Sequence, residues 1–148
     1  MFPGYWNKRE ASEAVLVDGW FHTGDIRRMD TESYLYIVDR KKDIIISGGE
    51  NIASTEVERI IYEDPRVAEC AVIGVPDARW GEVPRAYVVL KPGERAGAEE
   101  FIARCSAKLA NFKVPKAIEF IDALPRNPSG KVLKRAMRER ASAASPRR

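Results

Sequence analysis

Cys70-Ala71-Val72-Ile73-Gly74-Val75 and Ala86-Tyr87-Val88-Val89-Leu90 are two unbroken apolar runs, short and rich in β-branched residues. Runs of that length and composition read as buried strands. Pro92-Gly93 turns the chain after the second run. Working outward toward the N-terminus, Thr55 and Glu58 have the spacing of a capping box, and Val57, Ile60 and Ile61 recur at helical spacing until Asp64-Pro65. That segment predicts an amphipathic helix of two to three turns. Before it, Ile44-Ile45-Ile46 predicts a short buried strand that ends at Ser47-Gly48-Gly49. There the missing side chains let a backbone or a ligand approach closely. On the C-terminal side, Phe101, Ile102, Cys105 and Leu109 share one face of a second predicted helix over 98–109, with Glu99, Glu100, Arg104 and Lys108 facing water. Ile118 to Ile121 predicts another strand, Leu124 to Gly130 a polar loop, and Val132 to Ala141 a short basic helix. Strand, helix, strand, strand, helix, strand, helix is the order of a small α+β domain, a sheet covered by helices, over residues 43–141.

The first part of the chain has another character. Residues 1–38 are dense in aromatics and turn formers and predict short strands with too little apolar mass to close a core. Such a stretch leans on something else, and Trp20, Phe21 and Tyr34 would favour self-association if left bare. The charge run Asp39-Arg40-Lys41-Lys42-Asp43 separates this part from the next and reads as a linker, with a hinge over 39–42. Residues 142–148 have no apolar periodicity and are expected to be a disordered tail.

Lys plus Arg number 25 against 22 Asp plus Glu, a net +3. The excess gathers at Arg126, Lys131, Lys134, Arg135, Arg138, Arg140, Arg147 and Arg148. A basic end points to an anionic partner, with a solvated helix face as the plain alternative. Nucleotide or CoA phosphates come before nucleic acid, because no aromatics are interleaved with the cations as single-strand binding requires. Cys70 and Cys105 form no C-x-x-C pair or disulfide framework, and His22 is the single histidine, so no metal site is expected. No apolar run approaches the ~20 residues of a membrane span and no signal segment opens the chain, so a cytoplasmic location is expected.

Three turn-rich, charged spots can carry chemistry: Thr23-Gly24-Asp25, Arg40 to Asn51, and Pro128-Ser129-Gly130-Lys131. The last has glycine and lysine suited to an anion, but the upstream glycine and following hydroxyl of a P-loop are absent. Asp25 is either a turn residue or an acceptor for ribose hydroxyls.

Taken together, Gly19-Trp20-Phe21-His22-Thr23-Gly24-Asp25, then Tyr36 to Ile52, then Pro76-Asp77-x-x-Trp80-Gly81-Glu82, then Pro125-x-x-Pro128-Ser129-Gly130-Lys131 resemble a family in order and spacing. It is the superfamily of acyl-CoA synthetases, luciferases and peptide-synthetase adenylation domains, and the likeness is to its C-terminal motifs. The resemblance covers about residues 4–140 and is nearest to fatty-acyl and aryl-CoA ligases.

It implies a two-step ligase in which a carboxylic acid and ATP form an acyl adenylate, and CoA then displaces AMP. It implies Lys131 as the adenylation lysine, Asp25 and Arg40 as nucleotide contacts, and Lys42 as the hinge about which the C-terminal domain swings. Gly48 and Gly49 would line the CoA tunnel, with Trp80 near it or in the core, and Phe112 and Lys116 would touch CoA. Val114 stands where some relatives have arginine, so Lys113 or Lys116 would have to supply that charge. Mg2+ is expected with ATP, with no ligand in this chain. The phosphate loop, the adenine-holding segment and the acid pocket are absent, which implies a partner N-terminal adenylation domain and little activity for the chain alone. The alternative is a stand-alone CoA- or partner-binding module docking on a separate N-terminal domain.

Overall fold

The two apolar runs form the centre of a long antiparallel hairpin, β7 (Val67–Asp77) and β8 (Gly81–Leu90), in a computed structural model that describes residues 2–144. Successive side chains of a strand point to opposite faces. Here Cys70, Val72, Ala86 and Val88 enter one buried cluster, while Ala71, Ile73, Val75, Val83 and Tyr87 enter another. Both faces of the hairpin are therefore covered, which is why its sequence is apolar without alternation. Both strands run further than the sequence reading had them, because Pro76 and Pro84, natural strand breakers, sit inside the register opposite Glu82 and Gly74.

The chain divides into two compact units, one ending at Lys42 and the other beginning at Asp43. In the second unit, β5 (Ile45–Ser47) and β6 (Glu50–Ile52) make a tight hairpin through Gly48-Gly49. The sequence reading had only the first of these strands, since Glu50 and Asn51 are polar and exposed and only Ile52 is buried. β8 is the central strand: β7 lies along one edge, β5 meets it at Ser47 opposite Gly81, and β9 (Ala117–Phe120) runs parallel to Arg85–Val88.

Helices α2 (Ser54–Tyr62) and α3 (Ala98–Lys108) cover one face through Val57, Ile60, Ile61, Phe101 and Cys105. Helix α4 (Lys134–Ala144) covers the other through Met137 and Ala141. The expected α+β domain, a sheet covered by helices, is thus the fold observed. Two details differ from the sequence reading. Helix α2 starts at Ser54 with Ala53 as its N-cap, so Thr55 lies within the first turn and no capping box closes there. Helix α4 runs to Ala144, into the expected tail, because Ala-Ser-Ala-Ala is permissive of helix. Residues 145–148, including Arg147 and Arg148, lie outside those described.

Charged groups add a directional brace between elements. Asp64, almost fully buried after α2, accepts from Arg66 at Oδ1 and Oδ2 (3.0 and 2.9 Å), from the Arg66 backbone N–H (3.0 Å) and from Arg104 (3.0 Å). Arg104 lies on α3, so the brace joins the two helices.

The first unit contains α1 (Arg9–Glu13), the two-residue strands β1 (Leu16–Val17) and β2 (Trp20–Phe21), and the antiparallel pair β3 (Asp25–Met29) and β4 (Leu35–Arg40). Helix α1 buries no residue and left no apolar period to read. Among the described residues no hydrophobic side chain before Ile45 is buried, so this unit has no core of its own. Strand β4 continues through Asp39, which is buried opposite Ile26, and Arg40. Ordered strand therefore reaches into the charge run, past the expected boundary at residue 38. A 3-10 turn over Lys41–Asp43 follows.

Candidate functional site

Lys131 closes a loop organised by a single side chain. Asn127 Oδ1 accepts from the backbone N–H of Lys131 at 2.8 Å and from Ser129 Oγ at 2.9 Å. The Asn127 N–H in turn donates to Lys131 O at 3.0 Å, and Gly130 N–H donates to Asn127 O at 2.9 Å. Gly130 sits at φ +80°, where a glycine relieves the strain a side chain would meet. Arg126 braces the rim, donating to Gly130 O at 2.5 Å and pairing with Glu69 at 2.9 Å. The N–H and carbonyl of both Gly130 and Lys131 are thereby hydrogen-bonded. The Lys131 side chain is exposed and has no ion-pair partner among the described residues.

Gly48, Trp80, Phe112 and Lys116 come together around one cavity of about 310 Å³, joined by Ser47, Glu50 and Asn111. Its wall is built by the turn between β5 and β6. Gly48 has φ +59°, its N–H donates to Trp80 O at 2.8 Å, and the indole lies directly over its α-carbon, where a β-carbon would be only 2.9 Å from Cε3. Gly49, at φ +87°, belongs to the same turn but does not line the cavity.

Trp80 is 43% exposed and is therefore no core residue; Asp77 Oδ1 holds its backbone N–H at 2.9 Å, and Arg79 stacks on the ring at 4.6 Å. That bond, with a second from the Arg79 backbone N–H at 2.9 Å, holds the Asp77 carboxyl below its usual range. Of the two lysines beside Phe112, Lys113 is engaged by both Glu56 oxygens at 2.8 and 2.9 Å, while Lys116 stays free to face the cavity. Val114 is buried in the core.

In the first unit Asp25 and Arg40 are cross-strand partners, with Arg40 Nε 3.7 Å from Asp25 Oδ1. Thr23 Oγ1 accepts from the Asp25 N–H at 3.2 Å, and Gly24 takes φ +74°. Thr23, Gly24, Arg40, Lys41 and Lys42 line an open cavity of about 520 Å³ with Tyr5. The cavity is cationic through Arg40, Lys41 and Lys42. An arginine held to a half-buried carboxylate keeps further N–H donors for an anion.

Two further residues escaped the sequence reading. Asn127 carried a signal only as one more turn former in a polar loop. Lys134 reads in sequence as part of the basic helix face, yet its Nζ donates to Ser54 Oγ and to Glu58 Oε1, each at 2.7 Å, in a largely buried setting. Glu58 Oε1 also accepts from the Val72 N–H at 2.8 Å. Glu58 therefore faces the sheet and Lys134, not the N-terminus of its own helix.

The helix-covered sheet, the glycine turn beside its cavity and the lysine loop define the C-terminal domain of an adenylate-forming enzyme. Residues 56–131 match the AMP-binding enzyme C-terminal domain, and the chain belongs to that family. It is 53% identical over 93% of its length to a feruloyl-CoA synthase of an Amycolatopsis species, and 48% identical over 97% to the long-chain-fatty-acid–CoA ligase FadD13 of Mycobacterium tuberculosis. It superposes on ATP-bound MatB from Rhodopseudomonas palustris with a TM-score of 0.86 and 40% identity over 93% of this chain. In each comparison the chain spans 28% of the relative's length.

Proposed function

We propose that this chain is the C-terminal part of an ATP-dependent acyl-CoA ligase, and that Lys131 is its adenylating lysine. The observation that carries this reading is the pairing of a fixed backbone with a free ammonium at Lys131, in a chain of this family whose relatives include CoA ligases. A carboxylate approaching a triphosphate is repelled by it. A lysine held at the reacting centre offsets that repulsion and meets the charge that develops in the transition state.

Asp25 and Arg40 then contact the ribose and phosphate of ATP or AMP, and Lys42 is the hinge. The cavity of Gly48, Trp80, Phe112 and Lys116 takes part of CoA in the thioester-forming step, with Gly49 in the turn that forms its wall. Mg2+ enters with ATP; among the described residues no group of three or more His, Cys, Asp or Glu side chains lies together. The acid, the adenine and the triphosphate are held by an adenylation domain that these residues do not supply. The bare aromatic faces of the first unit, with Trp6 and Trp20 mostly exposed, support such a partner, or self-association in its absence. Two free buried thiols fit a reducing, cytoplasmic setting. No helix among the described residues is long and apolar enough to cross a membrane.

The test is Lys131→Ala in the enzyme completed by its adenylation domain. Acid-dependent ATP–pyrophosphate exchange is expected to fall by roughly 10²–10³, the usual scale for losing one electrostatic contact in a transition state. Thioester formation from supplied acyl adenylate should continue. Unchanged exchange would remove the assignment.

A further inference from the structure

Helix α4 has little apolar hold on the sheet. Among its residues whose burial is described, Met137 and Ala141 are the buried ones, while Arg135, Glu139 and Arg140 face water. A helix of 11 residues is marginal by itself, and two apolar contacts leave its rotation and pitch loosely set. Hydrogen-bonded ion pairs are directional and can supply what is missing.

Two of them do so, one turn apart on the same side of the helix. Lys134 reaches α2 through Ser54 and Glu58, with side chains only 16% and 15% exposed for Lys134 and Glu58. Arg138 donates to Asp43 Oδ1 at 2.7 Å, and that carboxylate is 13% exposed. Asp43 is the first residue of the second unit, next to Lys42. Just ahead of the helix, Leu133 N–H donates to Pro125 O at 2.8 Å, which joins α4 to the base of the Lys131 loop. A chain of bonded groups therefore runs from Asp43 through α4 to Lys131.

We propose that Lys134 and Arg138 are positioning residues for adenylation. They clamp α4 to Glu58 and to Asp43, so that a torsional change at Lys42 carries the Lys131 loop as one rigid piece. This rests on the ligase reading. A buried lysine–carboxylate pair is costly to desolvate where an apolar side chain would pack. Its directional geometry gives that cost a function.

The test has two readouts. In the 148-residue chain, Lys134→Met is expected to speed amide exchange at Asn127, Gly130 and Lys131 by about tenfold, while Ile73 and Val88 keep their rates. In the completed enzyme, kcat for acid-dependent ATP–pyrophosphate exchange should fall about tenfold to a hundredfold with KM for ATP nearly unchanged, the signature of misplacement at the reacting centre. Thioester formation from supplied acyl adenylate should stay within about twofold. Arg138→Met should act in the same direction, and Lys134→Arg, which keeps the donors, should recover most of the adenylation rate.

If Lys134→Met does not fold, the double variant Lys134→Met with Glu58→Met replaces the pair by apolar contact. That variant is expected to fold and still to adenylate slowly. Full adenylation by a folded Lys134→Met or by the double variant would overturn the clamp, as would equal loss of protection in core and loop. Lys131→Ala in the same assay separates the two claims. If it is silent, the ligase reading falls and amide exchange alone decides whether the loop depends on Lys134.

Discussion

The Trp80 indole covers the α-carbon of Gly48 so closely that a β-carbon there would lie 2.9 Å from Cε3, well inside the 3.5–4.0 Å or so at which carbons pack. The bond from the Gly48 N–H to the Trp80 carbonyl ties the two backbones together and Arg79 stacks on the ring, so added bulk at position 48 is met by displacement of the indole. Gly48 also occupies the left-handed region at φ +59°. Gly48→Ala is expected to destabilise the second unit by about 1–2 kcal/mol from the backbone alone, and to push the indole across the cavity. Urea unfolding measures the first effect. Trp80 fluorescence in a Trp6→Phe, Trp20→Phe background measures the second, and an unmoved ring with full stability would contradict the geometry.

The Asp64 brace predicts an acid limb in stability. Two arginines and a backbone N–H hold its carboxyl down from 3.8 to about 2, with the Arg66 hydrogen bond the largest cause. A carboxylate depressed in the folded state contributes stability that is fully present above the unfolded value of 3.8 and is lost as pH falls through about 2. For so deeply buried a group the contribution is on the order of 2 kcal/mol. Asp64→Asn should remove that limb and leave Arg66 and Arg104 poorly paired, for a loss at neutral pH of about 3 kcal/mol or more. Denaturant unfolding between pH 5 and about 2 checks both. A wild-type profile in the Asn variant would place the acid sensitivity elsewhere.

The two thiols should be inert while the fold holds. Burial raises the Cys70 thiol far above the ordinary range, with the Glu58 carboxylate adding to it, and pushes Cys105 up to about 11. Since the thiolate is the reactive form, neither should alkylate with iodoacetamide at pH 8 on the scale of hours, and both should react once the chain is unfolded. Native labelling of either residue would show that the core cluster around them opens locally.

How far the sequence carried this picture follows from what kind of contact each part depends on. Strands buried on both faces advertise themselves as apolar runs, so β7, β8 and the α3 face were legible. Pro76 and Pro84 hid the true strand ends because a breaker by type can still occupy a paired position. Strand β6 was hidden because two of its three residues face water. Gly48, Trp80, Phe112 and Lys116 were picked out by resemblance, and only folding reveals that they line one cavity. The Lys134–Glu58 pair had no local signal at all. Its partners are 76 positions apart, and Glu58 already had a plausible local use as a capping residue.

On the ligase reading, a cation beside Phe112 meets the CoA phosphates, and the surroundings of each candidate decide between them. Val114 is buried against the core of α2, α3 and the sheet. An arginine there would have to desolvate its charge or drag the segment outward, so Val114→Arg should cost about 3 kcal/mol or more and yield no tighter CoA binding. The charge must then come from a neighbour. Lys113 is held by both oxygens of Glu56, and freeing it would abandon that carboxylate in a half-buried place. Lys116 lines the cavity, has its backbone fixed by the bond from its N–H to Pro84 O at 2.9 Å, and has no ion-pair partner within contact distance among the described residues, only the longer-range charge of Asp77. Lys116→Ala is therefore expected to leave stability within about 0.5 kcal/mol while weakening CoA by about tenfold at low salt, an effect that fades as salt screens the phosphates. Lys113→Ala should do the reverse, lowering stability with little change in CoA affinity. Titration of CoA against both variants at two salt concentrations decides it, and equal losses in affinity would mean that the Glu56 pair opens to let Lys113 share the ligand.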